Sequence, residues 1–132
     1  MSINEKQVEF MRTLTAFLYW CFQNDYFVIG GELYRSKEQA IINSYKDADW
    51  RKRLFSMLGM VPNNPTGILN SVHRMKMAID LFRYLNGTVS WDVDDYREMG
   101  EKWESMHPLA RWGGNFRNRD AVHFSFEHGG IK

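Results

Sequence analysis

The chain has 132 residues, 44% of them hydrophobic and 15% aromatic, with a formal net charge of +1. That is the length of one domain able to bury its own core, so a single domain over residues 1–132 is expected, and the near-neutral balance gives no general pull toward nucleic acid or an anionic membrane. The lone Cys21 excludes an intramolecular disulfide and fits a reducing compartment, while neither a leader at "MSINEKQVEF" nor an apolar run near the ~18 residues of a membrane span is visible, so neither export nor a membrane anchor is expected.

Val8, Met11, Leu14, Leu18 and Cys21 recur at helical spacing, which predicts an amphipathic scaffold helix over about residues 5–24 with Cys21 in its core stripe. "YFVIGG" (26–31) reads as a short strand ended by its glycines, and "SKEQ" (36–39) matches a capping box that starts a helix running to about Tyr45, with Arg35 just before it. Residues 46–66 read as a short helix and a Pro/Asn loop, with the basic run Arg51 to Arg53 as a solvated face and no assigned chemistry. Further on, "NGT" (86–88) is a turn, and Tyr96, Met99, Trp103 and Met106 mark a helix capped by Asp94 or Asp95. "RWGGNF" (111–116) reads as a glycine-broken loop. "VHFSFE" (122–127) alternates as a last strand, with Val122, Phe124 and Phe126 on one face and His123, Ser125 and Glu127 on the other. Trp103 and Trp112 are expected to pack rather than stack on sugars, and His107 and His128 to be structural.

"SVHRMKMAIDLF" (71–82) places His73 and Asp80 in a mostly apolar run. On one helix the two would lie ~10 Å apart along the axis, at about 1.5 Å per residue, and on one straight strand their odd separation would send them to opposite faces. A hairpin turning at Arg74 to Met77 removes the difficulty, because His73 would pair with Ala78 and Asp80 would become its diagonal neighbour. Met77, Ile79 and Leu81 alternate with Ala78, Asp80 and Phe82 as such an arm requires.

Asp120 and His123 form a second pair, D-x-x-H, at the start of the last strand. Two histidines and a carboxylate make a three-ligand set of the kind that leaves a fourth zinc position open, with Asp120 as a spare carboxylate able to take a proton. Spacing alone leaves open a hydrogen-bonded polar trio with no metal.

Four segments in order, "GGELYRSKEQA" (30–40), "GILNSVHRMKMAIDLF" (67–82), "YREMGEKWESMHPLARWGGNF" (96–116) and "DAVHFSFEHGG" (120–130), resemble the phage L-alanyl-D-glutamate peptidases. These endolysins belong to the D-alanyl-D-alanine carboxypeptidase group that includes the vancomycin-resistance enzymes. The resemblance covers roughly residues 27–132 and rests on S-x-H-x(6)-D followed by W-G-G-x-F and D-x-x-H-F. It implies zinc held by His73, Asp80 and His123, with Asp120 as general base and Arg35 steadying the polarised carbonyl. Ser71 would be a substrate contact.

The implied fold is α+β, a small antiparallel sheet with flanking helices of the hedgehog and D-Ala-D-Ala peptidase type. The implied substrate is the peptidoglycan stem peptide, cut between L-alanine and D-glutamate. The protein would wait in the host cytoplasm until a holin-type protein opens the inner membrane. A D-alanyl-D-alanine carboxypeptidase and a non-catalytic zinc-binding domain of the same fold are the alternatives. Three departures stand out: Lys76 where many carboxypeptidase relatives have glycine, Asn115 in place of the usual aspartate of W-G-G-D-F, and a longer segment from Asp47 to Pro65.

Overall fold

The computed structural model describes residues 1–31 and 72–132. Arg35, Ser71, the helix expected after Ser36 and the segment 46–66 lie outside the described residues. What is described is an α+β architecture. Helix α1 (Ile3–Gln23) is followed by strands β1 (Val28–Gly30), β2 (Ala78–Leu85) and β3 (Thr88–Val89), helix α2 (Arg97–Met106), and strands β4 (Ala110–Trp112) and β5 (His123–Phe126). The strands form one antiparallel sheet in the order β1-β2-β5-β4, with β3 added to β2.

α1 begins at a capping box. Ser2 Oγ accepts from the Glu5 amide at 3.2 Å and Glu5 Oε2 accepts from the Ser2 amide at 2.6 Å, so two otherwise unbonded helix-end donors are satisfied. The face it buries is Phe10, Thr13, Leu14, Phe17 and Cys21. This corrects the expected stripe: Leu14 and Cys21 are in it, but Val8, Met11 and Leu18 are exposed. Two apolar stripes wind around this helix, and the one carrying two phenylalanines removes more surface from water. Phe10 meets Trp103 and Phe126 edge-on, and Phe17 packs on Trp103 and Phe124. Burial also pushes the Cys21 thiol up to about 12, so this residue behaves as a core side chain rather than a nucleophile.

β2 is the spine of the sheet. Its Leu81 is buried in the core and Ile79 packs against it, opposite Phe124 of β5. Asn86 and Gly87 then turn the chain at φ 52° and 83°, the doubly left-handed conformation that a two-residue hairpin needs, and asparagine followed by glycine adopts it at least cost. Asp92, rather than Asp94 or Asp95, caps the following 3-10 turn by accepting from the Asp94 amide at 3.0 Å. α2 continues directly from that turn, which is why the first acidic residue of the cluster does the capping.

The segment expected as a glycine-broken loop begins as a strand, β4, paired with β5. Trp112 ends it with no exposed surface, donating its Nε1 proton to the Ala121 carbonyl at 2.7 Å. Its ring lies between two glycines. A Cβ at Gly100 of α2 would fall 2.0 Å from Trp112 Cδ2, and one at Gly114 would fall 2.2 Å from Cζ2. Trp103 is also fully buried, its Nε1 shared between the Arg111 and Ser125 carbonyls at 3.1 and 3.2 Å. Both tryptophans therefore pack, as expected. Gly100→Ala should cost on the order of 1–3 kcal/mol by overpacking, read as a lower midpoint of urea unfolding; an unchanged midpoint would mean that α2 and the ring have room to separate.

Candidate metal centre

Asp80 and His123 are directly opposed across the β2–β5 ladder. In an antiparallel pair opposed residues project to the same face, and the alternation that sends Leu81 and Phe124 into the core sends these two to the other side. His73 arrives from a different element, the tight turn Val72–Lys76 that leads into β2. That turn is closed by the Met75 and Met77 amides, both bonding to the Val72 carbonyl at 3.1 Å. The turn therefore falls at the expected residues, but the hairpin pairing does not hold: Ala78 pairs with Ser125 of β5, and His73 sits in the turn itself. The ladder partner that brings a histidine beside Asp80 is His123.

His73, Asp80 and His123 each offer a ligand atom, and these atoms lie within 4.8 Å of one another. His73 Nε2 is 3.6 Å and His123 Nδ1 3.9 Å from Asp80 Oδ1, and the imidazoles meet edge to face with centroids 5.2 Å apart. Ligand atoms around a tetrahedral zinc stand roughly 3.3 Å apart, given bonds of about 2.0–2.1 Å. The observed spacings are slightly wider, so closing on an ion needs only small side-chain rotations. Both histidines are buried, at 4% and 6% exposure, while the Asp80 side chain keeps 20%. Two imidazoles and one carboxylate suit a zinc-type ion in ligand kind. The trio could hold a metal ion.

Asp120 stands outside this trio. It is exposed, and its backbone is locked beside it: the Asp120 amide donates to the Gly113 carbonyl at 2.9 Å, and the His123 amide donates to the Asp120 carbonyl at 3.2 Å. A Cβ on Gly113 would lie 2.1 Å from the Asp120 carbonyl oxygen and 2.8 Å from His123 Cβ. Gly113 is thus the residue that lets the Asp120 segment close onto β5, a role the sequence reading did not give it. Phe116 packs its ring on His123 with centroids 5.4 Å apart. Gly31 does similar work across the sheet. Its amide donates to the Asp80 carbonyl at 2.7 Å, and a Cβ there would press on the Asp80 carbonyl oxygen at 3.0 Å and on Phe82 at 3.1 Å. A glycine pair at the end of a short strand is the signal that could have found it.

Of the two remaining histidines, His107 ends α2 with its ring stacked on Phe126 and its Nδ1 accepting from the Leu109 amide at 3.1 Å, and His128 contacts Lys6 Nζ at 3.0 Å. Both are structural, as expected. Lys76 has a left-handed φ of 57°, a conformation that favours glycine. Lys76 therefore sits at a point of the His73 turn where glycine is the easier residue.

The fold and site define an α+β protein with a candidate two-histidine, one-carboxylate metal centre on the sheet face turned away from the aromatic core. In comparisons with family models, curated proteins and solved structures, nothing matches the chain.

Two outcomes follow for the isolated protein. Titration with zinc followed by calorimetry should give one site per chain, lost in His73→Ala and His123→Ala and kept in Asp120→Ala; retention of full affinity in either histidine variant would remove that residue from the ligand set. Lys76→Gly should raise the unfolding free energy by about 1 kcal/mol, the left-handed penalty less the added freedom of glycine in the unfolded chain. A fall in stability would instead show that the lysine side chain holds the turn.

Proposed function

We propose that the protein is a zinc-dependent peptidase that cuts the peptidoglycan stem peptide between L-alanine and D-glutamate, with the fold of the hedgehog and D-Ala-D-Ala peptidase type. The observation that carries the reading is the convergence of His73, Asp80 and His123 from a turn and two strands, with Asp120 held just before His123 and outside the ligand set. That is the division of labour the motif resemblance implies. A ligand trio alone also suits a binding domain; a further aspartate whose backbone is held just before the third ligand supports hydrolysis.

His73, Asp80 and His123 would hold the metal. When bound, zinc supplies Lewis-acid polarisation of the scissile carbonyl and acidifies water. Asp120 would take the proton of the attacking water at a carboxylate oxygen and return it to the leaving D-glutamate nitrogen. Its exposure fits a group that must meet both water and substrate. Arg35 would offset the negative charge that grows on the carbonyl oxygen, and Ser71 would contact the substrate beside His73. The buried histidines keep solvent from their ring faces, and the locked segment 113–123 spares Asp120 the entropy of searching for its position.

The cellular setting follows from the same reading: a phage endolysin held in the host cytoplasm, acting on the wall once a holin-type protein admits it. Zinc-loaded protein should release, from purified peptidoglycan, stem peptides with a new N-terminal D-glutamate, and a chelator should stop it. Asp120→Ala should keep its zinc while losing activity by a factor on the order of 10²–10⁴, the usual weight of a general base. Release of D-alanine alone would move the assignment to a carboxypeptidase, and stoichiometric zinc with no cleavage would move it to a metal-stabilised binding domain.

A further inference from the structure

The same face of β2 that carries Asp80 continues as Phe82 and Tyr84, two and four residues on, because side chains alternate along a strand. Ile29 of β1 lies opposite Phe82 in the ladder, and Trp91 meets the Phe82 ring edge to face with centroids 5.6 Å apart. Ile29, Tyr84 and Trp91 are 51%, 47% and 71% exposed. An apolar, largely aromatic strip therefore runs outward from the candidate metal centre, with Ile29, Tyr84 and Trp91 exposed and Phe82 half-buried against the core. Its start is fixed beside Asp80 by Gly31, which packs without a side chain against both Asp80 and Phe82.

Resting on the peptidase reading above, we propose that this strip is a sugar platform that receives the muramic acid residue to which the stem peptide is attached. The reach agrees. Between the L-alanyl carbonyl and the sugar ring lie one alanine and one lactyl unit, roughly 7 Å of chain at about 3.3–3.6 Å per residue. From Asp80 to Phe82 is two strand residues, about 6.6–6.8 Å, and the Trp91 ring packs on Phe82. The chemistry agrees as well. A pyranose offers a face of C–H groups and a rim of hydroxyls, so it rests on an open aromatic surface while its rim stays in water. An aliphatic side chain would need an enclosing pocket to be desolvated, and the strip is not one.

The polarity of the strip also sets the direction of the substrate. Ile29, Phe82, Tyr84 and Trp91 include no cation, and Arg83, next in sequence, lies over the Tyr26 ring on the opposite face and donates to the Asp95 carbonyl. With the chain reversed, the D-glutamate side and its carboxylates would lie on aromatic rings that carry no cation among the described residues of the strip. With the sugar there, nothing charged is placed on the strip. Trp91 is thus a specificity residue, set to favour glycan-linked stem peptide over free peptide.

The test uses full-length zinc-loaded protein and two readouts. In the first, N-acetylmuramyl-L-alanine is titrated while the Trp91 indole N–H is followed by nuclear magnetic resonance, assigned by its loss in Trp91→Ala. A saturable shift that free L-alanine does not produce, with affinity falling about tenfold in Trp91→Ala and partly restored in Trp91→Phe, is the expected result. In the second, cleavage of a muramyl stem peptide is compared with cleavage of the same peptide lacking sugar. The ratio of kcat/KM should be about tenfold in favour of the sugar and should fall toward one in Trp91→Ala. Equal rates together with an unmoved indole signal would overturn the platform while leaving the peptidase reading intact. A sugar-dependent shift with neither substrate cleaved would uphold the platform and sink the peptidase reading. An indole signal that responds to lipid vesicles and not to the sugar would overturn the proposal in favour of a membrane contact.

Discussion

The pairing of β2 with β5 in the register Asp80 opposite His123 is the constraint on which the rest depends. Side chains in a strand alternate with period two, so one register decides both faces of the sheet at once. In the observed register Ile79 and Phe124 oppose each other on the helix side, where Leu81 and Phe126 are also buried, and Asp80 and His123 oppose each other on the other. A slip of a single residue would send the carboxylate into the aromatic core and Leu81 out beside the histidine. Burying an ionised carboxylate without a partner costs several kcal/mol, and exposing the leucine forfeits about 1.5–3 kcal/mol more. The core therefore holds the site in register. The site needs no separate device to align two of its three ligands.

The third ligand and the carboxylate beside the site are held by turns, and turns need their own restraints. On the His73 side, two amides converge on the Val72 carbonyl. On the Asp120 side the restraint begins at Trp112, which fills the space between Gly100 and Gly114, bonds to Ala121, and so fixes both ends of the segment from Gly113 to Ala121. Gly113 then lets the Asp120 backbone approach to hydrogen-bond distance. Each glycine of W-G-G has a separate steric reason: the first for the Asp120 backbone, the second for the tryptophan ring. Asn115 donates to Glu104 of α2 at 3.1 Å, and the other Glu104 oxygen accepts from the Trp112 amide at 3.0 Å. An amide donor can make that contact, whereas an aspartate there would set two carboxylates against each other. Asn115 thus ties the loop to α2.

Much of the site was legible because its residues sit where period and motif agree. The alternation of Met77, Ile79 and Leu81 against Ala78, Asp80 and Phe82 marks the second arm, and the alternation in "VHFSFE" marks the strand that faces it. What alternation lacks is the partner: it says that Asp80 leaves the core and does not say which strand lies beside it. A hairpin within 73–80 and a ladder with 123–126 both satisfy the local pattern, and only long-range packing chooses between them. The face of α1 was misread for a related reason. Val8, Met11 and Leu18 lie on one helical stripe and Phe10 and Phe17 on another, and the shape of the sheet's aromatic underside selects the second. β4 was missed because three residues ending in a glycine pair carry too little alternation to declare a strand, which exists here through its pairing to β5.

The spacings at the centre bear on the polar trio that the sequence left open. A hydrogen bond between imidazole and carboxylate brings nitrogen and oxygen to about 2.7–2.9 Å. His73 Nε2 and His123 Nδ1 instead stand 3.6 and 3.9 Å from one and the same oxygen, Asp80 Oδ1. The three ligand-type atoms lie within 4.8 Å of one another, as in a group that could hold a metal ion. Both rings are buried, and the neutral form of histidine is the one a metal takes. The sheet thus places two imidazoles and one carboxylate where they could hold a cation, and from that point β2, which carries Asp80 and pairs with β1, leads away with Phe82 and Tyr84 on the same face.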